Sequence, residues 1–144
     1  MTTHYPDDAA IERLARGLIE RSLPKSVWTH AAHFGAALWL LRAHGLSETT
    51  RRMPSIIRAY NEATATPNTD DSGYHETITL ASLRAADALL AARPGAPLHE
   101  ILDELMATTM GRPDWLLAHW SKAVLFSVAA RRGWVEPDLA PFQP

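Results

Sequence analysis

Glycine and proline divide this sequence into segments with helical periodicity, and no segment alternates apolar and polar residues long enough to form a strand. A first helix is predicted to begin at Asp7 or Asp8 and to bury Ile11, Leu14, Leu18 and Ile19. The later helices are predicted over residues 25–44, 47–60 (broken or kinked at Pro54), 73–92, 98–108 and 113–131. The pattern therefore predicts an all-α bundle of four main helices, with shorter helices and an extended, proline-rich C-terminal tail.

The length and composition predict one domain, covering residues 1–144. A chain of 144 residues with 47% hydrophobic residues can bury enough apolar surface to fold without a structural metal or a disulfide. The sequence has no cysteine, which excludes thiol nucleophiles and thiolate-bound zinc. Of the tail residues, Trp134, Val135, Leu139 and Phe142 are predicted to pack on the domain, because they are too apolar to remain in water.

Charge and hydropathy exclude two classes of partner. The formal charge is −2 and the basic residues are scattered, so the sequence gives no reason to expect nucleic acid or an anionic membrane surface. The longest apolar stretch, residues 31–41, is too short to span a membrane. The N-terminus carries acidic residues where a signal peptide carries basic ones. We therefore expect a cytoplasmic protein.

Three histidines form the most function-like pattern. His30 and His33 are three residues apart, so they lie on one face of a helix that is apolar nearly all round. His75 begins an apolar stripe on the fourth predicted helix. If these two helices are neighbours, three imidazoles meet at one point.

Three imidazoles suit a divalent transition metal and leave one coordination position for water or substrate. Glu76 is then the general base for metal-bound water or a fourth ligand, and Tyr74 an orienting hydrogen-bond donor. His119, on the inward side of the last predicted helix, is a weaker candidate for a fourth ligand. Because Thr79 stands where the HExxH motif has its second histidine, the metalloprotease motif is incomplete.

Three segments resemble a family of short, all-helical bacterial proteins to which no activity is assigned. They are WTHAAH (28–33), GYHETIT (73–79) and ARRGWVEPDLAP (130–141), which match WTHxAH, GYHET and ARxxWVxPDL. The resemblance implies that the functional positions are His30, His33, Tyr74, His75, Glu76, Arg131, Trp134 and Asp138. Arg131 then either binds an anionic substrate at the mouth of the bundle or forms a structural pair with Asp138.

The leading hypothesis is a small metal-dependent enzyme that acts on a small-molecule substrate. Its reaction is hydrolytic or lyase-like with zinc and oxidative with Fe(II). Two alternatives stay open. One is a non-enzymatic protein whose histidines and tryptophans line a small-molecule pocket or a homodimer face. The other is a metal-free acid–base enzyme that uses the pair His75–Glu76 or the pair His30–His33.

Overall fold

A computed structural model describes residues 3–144, and it confirms the predicted all-α fold with four main helices; this part of the chain holds no strand. The main helices are α1 (Asp8–Ile19), α2 (His30–Ala63), α3 (Glu76–Ala92) and α4 (Leu98–Met106). Two short α-helices follow, α5 (Lys122–Leu125) and α6 (Val128–Arg132). The 3-10 helices are Lys25–Val27, Thr109–Gly111 and Trp115–Ala118. None of the helices described in residues 3–144 combines the length and the apolar character needed to cross a membrane.

Helix α1 begins where the sequence predicts. The side chain of Asp7 caps it by accepting a hydrogen bond from the backbone N–H of Ala10 at 2.9 Å. Ile11, Leu14 and Leu18 are buried as expected. The prediction for Ile19 is wrong: it is 41% exposed, because it lies about 100° around the helix from Leu18 and outside the buried stripe.

Helix α2 joins two segments that the sequence separates. Gly45 breaks the helical dihedrals with φ of +83°, but the chain resumes the helix at once, so residues 30–44 and 46–63 form two arms of one bent element. Pro54 does not interrupt the second arm, since Gly45 is the one residue of α2 with non-helical dihedrals. Residues 34–38, 40 and 41 of the first arm are buried and form the centre of the fold, as predicted.

Helix α3 begins three residues later than predicted. Gly73 adopts φ of +78°, which a helix does not permit, and His75 is the N-cap residue. The Nδ1 atom of His75 accepts a hydrogen bond from the backbone N–H of Ile78 at 3.1 Å. His75 therefore lies where the chain enters α3 and is not part of a helical stripe.

The long helix predicted over residues 113–131 is wrong. The chain forms Trp115–Ala118, α5 and α6 in succession instead. The hydroxyl oxygens of Ser121 and Ser127 each accept a hydrogen bond from a backbone N–H three residues further on, at 3.3 and 3.1 Å. Serine caps short helices in this way and so competes with one continuous helix.

The tail packs on this irregular segment. Trp120 is 0% exposed, and its Nε1 donates to the carbonyl oxygen of Val135 at 3.0 Å. Trp134, Val135 and Phe142 pack against the cluster that contains Trp120, which confirms the prediction for these three residues. The prediction is wrong for Leu139, which is 59% exposed.

Candidate functional site: a cavity lined by three histidines

A cavity of about 660 Å³ lies between the two arms of α2, the N-terminal half of α3 and the irregular segment 113–126. His30, His33 and His75 all line it, and so does Tyr74. The bend at Gly45 sets the second arm of α2 against the first, and Met53, Ile57 and Asn61 of that arm also face the cavity. The sequence therefore identifies residues of one common space, although it misplaces the helices that carry them.

The three histidines do not form a metal-binding group. Within residues 3–144, no three histidine, aspartate or glutamate side chains are grouped so as to hold a metal ion. His30 Nε2 donates to the carbonyl oxygen of Met110 at 2.7 Å, and His75 Nε2 donates to that of Leu125 at 2.7 Å. Each ring is thus fixed by a different part of the chain. The zinc or iron centre stays a prediction that this geometry does not support.

His75 has a structural role in these contacts. Its Nδ1 accepts a hydrogen bond from Ile78, so the proton is on Nε2, which donates to Leu125. Burial lowers the pKa of His75, so the ring is neutral at neutral pH. Both nitrogens are engaged with the backbone, and the ring joins the start of α3 to the end of α5.

His33 is different, because no hydrogen bond joins either of its ring nitrogens to another residue between 3 and 144. Its ring stands edge-on to Trp28, with the ring centroids 4.0 Å apart. The His33 side chain lines the cavity and is exposed to solvent. Partial loss of hydration next to the surrounding protein atoms, and then the nearby charges of His30 and Lys25, lower the pKa of His33 to about 4. At neutral pH, His33 therefore presents a neutral imidazole with one donor and one acceptor to the cavity.

Tyr74 and Glu76 bind each other. The Tyr74 hydroxyl donates to Glu76 Oε1 at 2.5 Å, and the Arg58 guanidinium lies 4.7 Å from the centre of the Tyr74 ring. Burial, and then the bond to Glu76, raise the pKa of Tyr74. Glu76 is not among the residues that line the cavity, so its predicted roles as base or ligand have no supporting contact.

Arg131 does not pair with Asp138, so that prediction is wrong. Arg131 Nη1 donates to the carbonyl oxygens of Gly73 and Tyr74, at 3.1 and 3.4 Å, and holds the chain before α3 in place. Asp138 accepts a hydrogen bond from the backbone N–H of Ser121 at 2.8 Å. Arg131 is not a lining residue either, so the structure gives no support to its predicted contact with substrate.

His119 lies apart from the other three histidines. Its Nδ1 donates to the carbonyl oxygen of Pro141 at 2.9 Å, and its ring packs against Phe142. These contacts hold the tail in place. The geometry therefore gives no support to His119 as a fourth metal ligand.

One end of the cavity is polar, and the sequence does not predict it. We define this polar end as Lys25, His33, Asn61 and Thr66. The Lys25 ammonium donates to the Thr66 hydroxyl, and the backbone N–H of Thr66 donates to the Asn61 carbonyl oxygen at 2.8 Å. These residues come from three separate segments. No spacing rule joins them, because loop 64–75 brings Thr66 to Lys25 through tertiary contacts.

The rest of the lining is largely apolar, and we call it the apolar part. It consists chiefly of Phe34, Ala37, Met53, Ile57, Ile78, Leu83, Trp115, Leu116 and Leu117. Asp114 is an acidic residue in the lining, and its carboxylate lies 3.6 Å from the side chain of Arg112. An apolar cavity with a few polar groups at one end is typical of a small-molecule site.

Comparison with known proteins finds no family model, no curated protein and no solved structure that matches this chain. The resemblance carried by the three sequence motifs therefore stays a prediction.

Proposed function

We propose that this protein binds a small, mainly apolar organic molecule in the cavity between α2, α3 and residues 113–126. The volume of about 660 Å³ supports the proposal. Ligand sites commonly measure about 300–1,000 Å³ and combine an apolar lining with a small number of polar groups. Both features are present here.

His33 is the single observation that carries the proposal. His30 and His75 each donate a ring N–H to a backbone carbonyl oxygen. His33 instead presents a neutral, solvent-exposed imidazole to the polar end of a mainly apolar cavity, and its ring nitrogens form no hydrogen bond with residues 3–144, so they are accessible to a ligand. A ligand that bonds this ring gains orientation as well as a hydrogen bond.

The same contacts favour binding over the chemistry predicted from the sequence. A metal at His75 would have to replace either the cap of α3 or the bond to Leu125, since both ring nitrogens are engaged. A histidine with a pKa of about 4 is a weak general base at neutral pH, because the best catalytic pKa lies near the operating pH. Binding of a ligand requires neither the loss of a His75 hydrogen bond nor a general base at neutral pH.

A neutral fluorescent probe, N-phenylnaphthylamine, tests the proposal, because its emission rises in an apolar site. We expect saturable binding of one probe per chain, unchanged after treatment with a chelator. The substitution Ser82→Phe places a ring in the cavity from α3 and should weaken binding by about tenfold or more, which corresponds to about 1.4 kcal/mol. The matched control is Ser55→Phe, which adds the same ring at an exposed position of α2.

Two results would contradict the proposal. Equal affinity in Ser82→Phe and Ser55→Phe would place the probe outside the cavity. Binding that is lost with chelator and restored by zinc or Fe(II) alone would favour the metal centre instead. Circular dichroism of both variants verifies that their helices are intact.

A further inference from the structure

Lys25 gives the polar end of the cavity an ammonium group without a counter-charge. Its Nζ donates to the neutral hydroxyl of Thr66 and lies 5.9 Å from the centre of the Tyr60 ring. Within residues 3–144, no carboxylate forms an ion pair with it at 4.0 Å or less. Six arginines among residues 3–144 do form such pairs, and the pair of Arg93 with Glu104 is one of them.

The electrostatic environment of His33 also indicates a positive charge at the polar end of the cavity. After burial, the groups that lower the pKa of His33 are His30 and Lys25, and a nearby positive charge lowers a histidine pKa. The acidic residue of the lining, Asp114, lies on the opposite segment and is offset by Arg112. The Lys25 charge therefore acts at the His33 ring, and a positive charge at this position favours an anion.

Three donors converge on this end. Lys25 supplies an ammonium, Thr66 a hydroxyl, and His33 a ring N–H in the tautomer that the ligand selects. Hydrogen bonds from such donors to a carboxylate are charge-assisted and stronger than bonds between neutral groups. The apolar part begins next to them, at Phe34 and Ala37, which follow His33 along α2.

We infer that the ligand is an amphipathic carboxylic acid, whose carboxylate binds at Lys25, His33 and Thr66 and whose apolar body fills the apolar part of the cavity. This inference rests on the proposed function, because it names the chemical class of the molecule bound in the same cavity. It also explains why an ammonium group and an unbonded imidazole border an apolar space.

Displacement of N-phenylnaphthylamine by three probes of ten carbons each tests the inference. Decanoate, decanol and decylamine have an anionic, a neutral and a cationic head group on a linear alkyl chain. We expect decanoate to displace the dye at about tenfold lower concentration than decanol, and decylamine to be the weakest, because one charge-assisted bond changes affinity by about that factor.

Variants of Lys25 assign the preference to a residue. Lys25→Gln should reduce the preference for decanoate over decanol to about one, and Lys25→Arg should retain it. The matched control is Lys122→Gln, which removes an exposed lysine outside the cavity and should leave the preference unchanged. Because Lys25 is exposed, these substitutions leave the core intact.

The outcomes separate the two proposals. If the dye binds in the cavity but decanoate and decanol displace it equally, or if Lys25→Gln keeps the preference, this inference is wrong and the proposed function stands. If the dye does not bind in the cavity, and none of the three alkyl probes raises the melting temperature of the protein, both proposals are wrong.

Discussion

Deleting residues 134–144 is expected to lower the melting temperature strongly. Trp120 is 0% exposed because Trp134, Val135 and Phe142 cover it. Without the tail, this ring and the neighbouring Leu116 face water, and Thr77 loses its bond to the N–H of Val135. Loss of packing at a large aromatic side chain typically costs about 3–5 kcal/mol.

Point substitutions within the tail separate packing from chain length. Phe142 contacts the rings of Trp115, His119, Trp120 and Trp134, so Phe142→Ala should cost about 2–3 kcal/mol, somewhat below the fully buried range. Leu139→Ala is the control; since Leu139 is exposed, its change should stay within about 0.5 kcal/mol. Urea denaturation measures both. Equal effects of the two substitutions would show that the tail does not pack as described.

Gly73→Ala should destabilise the protein strongly. The residue has φ of +78°, and an added Cβ would lie under 3.0 Å from the carbonyl oxygen of Pro67 and from Oδ1 of Asn68. Asn68 also accepts the backbone N–H of Tyr74 at 3.0 Å and the side-chain N–H of Asn61 at 3.0 Å, so it cannot move freely. We expect a loss on the order of 2–4 kcal/mol from strain and steric conflict together.

Gly95→Ala is a matched control for the backbone conformation. Gly95 has φ of +77° but no atom within 4 Å of the added Cβ, so it shows the conformational cost alone, about 1–2 kcal/mol. The difference between the two substitutions, measured by urea denaturation, isolates the steric term. Gly73→Ala should also weaken binding of N-phenylnaphthylamine, since Gly73 lines the cavity. A Gly73→Ala protein as stable as Gly95→Ala would contradict the loop geometry.

The helices with a simple apolar period could be predicted from the sequence. In α1, the stripe through Ile11, Leu14 and Leu18 and the cap at Asp7 reflect local patterns, and local patterns persist in the fold. The break at Gly45 could also be predicted, because glycine permits a positive φ. The continuation of the helix after Gly45 could not be predicted, since it depends on how the two arms pack.

The structure of residues 113–131 could not be predicted from periodicity alone. Periodicity does not detect side chains that compete with the backbone hydrogen bonds of a continuous helix. Ser121 and Ser127 are compatible with a helix interior, yet here each caps a new short helix. Whether these serines lie inside a helix or cap one depends on tertiary contacts, such as the hydrogen bond from Ser121 N–H to Asp138. Seventeen positions separate these two residues, beyond the reach of a local rule.

The candidate site could be predicted only in part, because its hydrogen bonds also depend on tertiary contacts. Periodicity directs His30 and His33 toward the interior, and both do line the cavity. Periodicity does not reveal hydrogen-bond partners. It therefore could not show that the carbonyl oxygens of Met110 and Leu125 accept hydrogen bonds from two of the three imidazole rings. Lys25 carried no signal, because its position at the cavity depends on loop 64–75.

Histidine-selective NMR of the isotope-labelled protein, during a titration with N-phenylnaphthylamine, tests directly whether the ligand binds beside His33. We expect the side-chain signals of His33, assigned with His33→Gln, to shift as the probe saturates. The signals of His44, which is exposed and outside the cavity, should stay constant. Saturation of the probe fluorescence with unchanged His33 signals would place the ligand elsewhere and contradict binding in the cavity.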